Sequence, residues 1–255
     1  MIKKYSIALF LCFIFVMAEG MIFAAPKGID ILRKIDEIEE MTTDIRAKVN
    51  IAQTKNGQTK KIELLYYRRD ADDAFLMVMI APETDKGNGY LRVKDNIWMY
   101  RQNTRTFQII NRDEPIGGSD AKANDFEKRK ITELYAAQKD ASGNEVTEEK
   151  LGAVDVYKVE VKAKVNDVDY PKKIYWVRRD NSLRLKEQSF SNSGTLMQTA
   201  YYMNYTIVDG RYVPVKQLFI DEFEKGNKSL VEISGISTSK LPDIFNKAYL
   251  ENLSK

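Results

Sequence analysis

The hydrophobic period changes once along this chain, after Met41, and that change limits what it can fold into. Before it, Ile31, Leu32, Ile35 and Ile38 recur at helical spacing, with Arg33, Lys34, Asp36, Glu37 and Glu40 opposite them. This pattern predicts an amphipathic helix over 30–41, with Asp30 as its N-cap. Beyond Met41 the apolar residues alternate. Strands are predicted at 42–53, 58–68, 74–81, 90–94, 97–101 and 106–111, separated by short polar turns. Asn56-Gly57 is a strong hairpin signal, and Lys86-Gly87-Asn88-Gly89, Lys94-Asp95-Asn96 and Gln102-Asn103-Thr104 mark further turns. The run AFLMVMIA at 74–81 is apolar on both faces, which predicts a central strand covered on both sides.

A break follows at 112–124, rich in charge and containing Pro115, Gly117, Gly118 and Ser119. It leads into a second expected helix, 125–137, with Phe126, Ile131, Leu134 and Tyr135 as its apolar positions. The second half is a meander. Over 154–165, Tyr157, Val159, Val161, Ala163 and Val165 alternate with Lys158, Glu160, Lys162 and Lys164. Further strands are expected at 170–178, 183–191, 195–207, 211–221 and 229–237, and a helical turn after Pro242-Asp243. Short turns join antiparallel neighbours. The fold class is therefore mainly β (α+β). A sheet of roughly a dozen strands must curl or close to bury one face.

Residues 1–24 read as an export signal. Lys3 and Lys4 form a cationic start, residues 6–17 an apolar run, and small residues allow cleavage after Ala24 or Ala18. A retained anchor helix is the alternative, but the run is short for a span and Glu19-Gly20 interrupts it. The only cysteine, Cys12, sits inside the apolar run behind Leu11, which does not suit a lipid attachment site. Residues 25–255 are expected to form a single domain without a thiol, and the chain contains no histidine. Disulfides, thiolate chemistry and the commonest general base and metal ligand are excluded. No nucleophile elbow, H-E-x-x-H, P-loop or G-x-G-x-x-G is present. Asp70-Ala71-Asp72-Asp73 suits a turn better than a calcium loop, because no distal Glu completes the pattern. The net charge of +3 is small and both signs are interleaved, so no nucleic-acid footprint exists. Neither enzymatic activity nor a cofactor or metal is expected, and the protein is expected to be a monomer.

A curved sheet with apolar helices has two outcomes: its concave side is filled by the protein itself, or a cavity remains under a helical lid. Large, adaptable apolar side chains favour a cavity. Its expected lining is Ile31, Leu32, Ile35, Ile38, Leu64, Tyr66, Phe75, Met77, Met79, Trp98, Tyr100, Leu134, Tyr157, Val159, Val161 and Trp176. The lid candidates are the 30–41 and 125–137 helices, with Gly117-Gly118 as a hinge.

Several short motifs, in order, resemble the outer-membrane lipoprotein-sorting proteins, the LolA-like periplasmic carriers, and in particular a spirochaete-type branch. They are Asp155 to Val159, Lys173 to Val177, Leu183 to Glu187 with Ser193-Gly194, Asp209 to Pro214, and Leu241-Pro242-Asp243 with Phe245, Tyr249, Leu250 and Glu251. In the first half, Ile97-Trp98-Met99-Tyr100 with Arg105 is similar to that family's Trp-x-Tyr hairpin. The resemblance implies an open antiparallel half-barrel of about 11–12 strands (LolA/LolB-like), with helices covering the concave face. It implies a carrier for lipoprotein acyl chains or other lipids. The implied partners are an inner-membrane ABC or RND-type transporter and an outer-membrane acceptor. It also implies a lid-latching arginine, which the sequence does not place. The alternative is a periplasmic lipid-sensing or interaction module that regulates envelope stress or assembly.

Overall fold

The computed structural model describes residues 26–126 and 129–254, so the expected export signal lies outside the described residues. Helix α1 (Gly28–Glu39) precedes a six-strand meander: β1 (Ile45–Lys55), β2 (Gln58–Arg69), β3 (Ala74–Ala81), β4 (Gly89–Val93), β5 (Asn96–Arg101) and β6 (Thr106–Ile109). A strap over 110–126 leads to one helical turn, α2 (Ile131–Leu134). The short strands β7 (Tyr135–Ala137) and β8 (Thr147–Leu151) follow. A second meander then runs through β9 (Val154–Ala163), β10 (Lys172–Arg178), β11 (Arg184–Phe190), β12 (Leu196–Val208), β13 (Arg211–Asp221) and β14 (Lys228–Thr238), and ends in helix α3 (Lys247–Leu253).

Among the described residues all 14 strands belong to one sheet in the order β6-β5-β4-β3-β2-β1-β14-β13-β12-β11-β10-β9-β7, with β8 also paired to β9. Every pairing is antiparallel, and β1 on β14 joins the two meanders. The sheet curls but does not close, because β6 lies at one end and β7 and β8 at the other. This is the expected open half-barrel, with two strands more than expected. Strand β8, TEEKL, is an exposed polar edge strand, so no apolar alternation announces it.

The expected helix over 125–137 is not one helix. Residues Ala123–Phe126 form a 3-10 turn, Ile131–Leu134 a single α turn, and Tyr135 already pairs with Ala163 in the sheet. Its apolar residues serve two different cores, Phe126 one and Ile131 and Tyr135 another, which a single helix face does not allow. Asp30 is not the N-cap either. Helix α1 begins at Gly28, whose N–H donates to Glu145 Oε2 at 3.0 Å, while Asp30 pairs with Arg33. The Asp70–Asp72 segment is a turn whose carboxylates pair with arginines: Asp70 takes Arg68, Asp72 shares Arg69 with Asp44, and Asp73 takes Arg92.

Three apolar clusters hold the molecule together. The first lies on the concave face of β1–β5, where Ile62, Leu64, Phe75, Met77 and Met79 meet Ile116, Ala121, Ala123 and Phe126 of the strap. Gly117 makes that contact possible. Its φ is +60°, and a Cβ there would sit 3.0 Å from Met79 Cε and 3.1 Å from Ile62 Cδ1. The second cluster packs Ile31, Leu32 and Ile35 of α1 and Ile131 of α2 onto Val159, Val161, Tyr175 and Val177. The third is on the convex face, where Ile244, Phe245 and Leu250 cover Leu76, Val78, Leu91 and Tyr100. Asn246 caps α3 by accepting from the Tyr249 N–H at 2.8 Å. Strand β3 is thus covered on both sides, as its sequence predicts. Among the described residues no helix is long and apolar enough to cross a membrane.

Candidate functional site

The two halves of the concave face are treated differently. The strap fills the β1–β5 half. Between it and β10–β14 an open cavity remains, with an empty volume of about 1520 Å³ including the solvent at its mouth. Its apolar walls come from Met41, Ile45 and Ala47 on one side and Val213, Phe219, Ile233 and Ile236 on the other. Phe126, Ile131 and Leu134 hang over it.

Of the residues expected to line a cavity, Tyr66 and Leu134 do so. Leu64, Phe75, Met77 and Met79 face the concave side but lie sealed beneath the strap. Ile31, Leu32, Ile35, Tyr157, Val159 and Val161 pack between α1 and the sheet, and Ile38 is half-buried on α1. Trp98, Tyr100 and Trp176 lie on the convex face. The register explains it: Met77, Tyr90 and Met99 are cross-strand partners on the concave side, while Leu76, Leu91 and Trp98 are partners on the other. Trp98 accordingly packs under α3, with Lys247 Nζ 4.7 Å from its ring. Trp176 is sandwiched on the outside by Lys186 and Lys158 and donates to Glu149.

The cavity is not lined by apolar groups alone. Its floor carries two cations and two anions in one network. Glu187 Oε1 accepts from Lys173 Nζ at 2.6 Å and Oε2 accepts from Arg184 Nη1 at 2.7 Å. Arg184 Nη2 lies 2.9 Å from Oε1 of Glu39, at the end of α1. Tyr202 and Ser189 hydroxyls, each 3.3 Å away, complete the shell of Glu187. The Arg184 guanidinium stacks 4.2 Å from the Tyr202 ring centre.

Glu187 is 7% exposed and Arg184 13%. Burial pushes the Glu187 carboxyl up, but the adjacent Lys173 and Arg184 charges outweigh it and hold it down at about 2. Burial acts against the charge on Arg184 as well, yet Glu39, Tyr202 and Glu187 raise its pKa well above the usual value. Burial also raises Tyr175, Tyr202 and Tyr205, and pushes Tyr66 up to about 12, so these phenols stay protonated.

Two strand irregularities and one aspartate build this site. Residues i and i+3 of a strand normally face opposite ways, yet Arg184 and Glu187 share a face. A bulge in the β10–β11 ladder, between Trp176 opposite Lys186 and Val177 opposite Arg184, turns Arg184 inward. A similar shift between Arg46 and Lys48 on the β1–β14 ladder accompanies the inward turn of both Ile233 and Ile236. Asp36 ties α1 to α2: it accepts from Ile131 N–H at 2.7 Å, Thr132 N–H at 3.0 Å and Thr132 Oγ1 at 2.6 Å.

The two helices therefore form one cover. Its end is held by three arginines on different strands. Arg184 pairs with Glu39, Arg211 donates to the Glu37 carbonyl at 2.6 Å, and Arg68 donates to the Glu39 carbonyl at 3.4 Å. The Gly117-Gly118 pair is pinned: Gly117 N–H donates to Tyr90 Oη and the Gly118 carbonyl accepts from Gln53. Sequence reasoning missed the charged floor because Lys173 and Glu187 occupy ordinary alternating positions. The one available signal is parity, since Lys173 is in phase with Tyr175 and Val177.

A family model described as "Uncharacterized protein" matches residues 71–252. No curated protein matches. Among solved structures, a LolA superfamily protein from Nitrosomonas europaea superposes with TM-score 0.74 at 21% identity, covering 88% of this chain and 100% of the other. A structure described as an outer membrane lipoprotein-sorting protein domain from Vibrio parahaemolyticus gives 0.76 at 18% identity, covering 88% and 98%. A DUF1329 family protein from Desulfovibrio piger gives 0.76 at 20% identity, covering 88% and 97%. At such identities the likeness is one of fold, the same unclosed half-barrel.

Proposed function

The chain belongs to the uncharacterized-protein family whose model spans residues 71–252 and has the fold of the LolA superfamily, and from this premise we propose that it is a periplasmic carrier of lipid acyl chains. Residues 1–24 serve as the export signal and residues 25–255 as the working unit. The protein receives lipoprotein or other lipid from an inner-membrane ABC or RND-type transporter and passes it to an acceptor at the outer membrane. The role is binding, not catalysis.

The observation that carries this reading is the unfilled half of the concave face, walled by Met41, Ile45, Val213, Phe219, Ile233 and Ile236, with Phe126, Ile131 and Leu134 over it. Energetics set the mode of binding. Each buried methylene contributes about 0.8 kcal/mol, so a chain of roughly 14 would gain on the order of 11 kcal/mol, near nanomolar affinity. Several chains buried whole would not be released on a useful timescale. An open cavity with a polar floor buries a chain only in part, which suits transfer. The α1–α2 cover moves as one piece, and Arg68, Arg184 and Arg211 hold its end shut.

The test is titration of delipidated protein with a fluorescent fatty acid. Saturable binding, competed by unlabelled lipid, is expected; a linear, non-saturating signal removes the carrier reading. Mass spectrometry of lipid co-purifying with the exported protein then identifies the cargo.

A further inference from the structure

The floor of the cavity poses a question that acyl binding does not answer: why four charges are buried where a greasy surface would serve. Arg184 answers part of it. Glu187 and the Tyr202 ring hold its guanidinium in place from one side, independently of the cover. Its other edge, Nε with Nη2, is the fork that takes a carboxylate or phosphate in a bidentate manner. Glu39 occupies Nη2 only, at 2.9 and 3.1 Å. Nε is buried and, among the described residues, has no hydrogen-bond partner. A buried donor left in this state is costly, and an incoming oxyanion that spans both nitrogens would satisfy it. Glu39 is also the less fixed partner. It is the last residue of α1 and 21% exposed, against 7% for Glu187.

We infer that Arg184 is a head-group site for an anionic single-headed amphiphile, a carboxylate or phosphate ester with an alkyl tail, and that Glu39 is the internal anion this head displaces. The tail then lies along Val213, Phe219 and Ile233, which share the cavity with Arg184. Displacing Glu39 removes one of the three arginine ties on α1, so cargo entry loosens the cover. This inference rests on the carrier reading and sharpens its substrate class.

The experiment displaces the neutral probe N-phenyl-1-naphthylamine from delipidated full-length mature protein, at about pH 8 where carboxylates are ionised. The competitors are laurate, dodecyl phosphate and the uncharged monolaurin. The wild type is expected to bind the anionic competitors more tightly than monolaurin, and comparison of the two anions shows which head is preferred. In Glu39→Gln the internal competitor is neutral. Affinity for the anions should rise about tenfold while monolaurin stays unchanged. Arg184→Gln should erase the preference. That variant strips Glu187 of a partner and can cost the fold, so Glu39→Gln, a near-isosteric change at the last residue of a helix, carries the test alone. If all three competitors bind and Glu39→Gln shifts none of them, or shifts monolaurin equally, the head-group site is overturned and the carrier reading stands. If none displaces the probe, the carrier reading itself fails.

Discussion

The two halves of one sheet solve the same problem in opposite ways. Strands β1–β5 bury their concave face against the protein's own strap, so that Ile62, Leu64, Met77 and Ile116 are fully enclosed. Strands β11–β14 leave part of theirs open, line its rim with half-buried apolar residues and, with Lys173 of β10, place a charged network at its floor. The first arrangement is that of an ordinary core, closed to solvent. The second retains free apolar surface and polar groups that an interior would normally exclude. On the carrier reading, one half supplies the scaffold and the other holds the exchangeable occupant.

The comparison is broken most severely at Glu187. Glu187→Gln leaves Lys173 and Arg184 buried without their shared anion, which costs about 3–5 kcal/mol. Urea unfolding should show it as a lowered midpoint at unchanged slope. The same group predicts an acid limit. Its folded pKa is about 2 against 4.5 for an unfolded glutamate, so its stabilisation is complete above about 4.5 and is lost as pH falls towards 2. In Glu187→Gln that part of the acid transition should vanish; an identical acid profile in both proteins would contradict the depressed pKa. On the plugged half, Ile116→Ala opens a void under the strap and should cost about 3 kcal/mol, with the strap's amides losing hydrogen-exchange protection first.

Sequence and structure agree most where a local rule acts alone. The alternation of β1–β3 and β9–β14 and the turns at Asn56-Gly57 and Asp209-Gly210 are legible residue by residue, because period two and left-handed turns depend on near neighbours. The site is less legible, for a physical reason. Which face of a strand looks inward is settled by long-range register, so Phe75, Met77 and Met79 are on the concave side while Trp98, Tyr100 and Trp176 are not. Which part of that face stays empty depends on where the strap lies. Its Gly117 and Ile116 look like any loop residues until they are packed on Met79 and Ile62. Arg184 reaches the cavity only through a bulge, which no periodicity announces.

The mildest test sharpens the comparison from the hollow side. Ile233 projects from β14 into the cavity and is half-buried, so trimming it to alanine enlarges a space that is already open. The void term that dominates at Ile116 is absent, and only the transfer of a partly wet side chain remains. Ile233→Ala should therefore cost under about 1 kcal/mol in urea unfolding, a fraction of the effect of the same truncation on the plugged half. Yet this wall is where an alkyl tail would lie, so the variant should weaken fatty-acid binding several-fold while leaving the fold intact, whereas Ile116→Ala does the reverse. Equal stability losses at both positions would mean that the two concave halves are packed alike, and the division of labour between them would have to be abandoned.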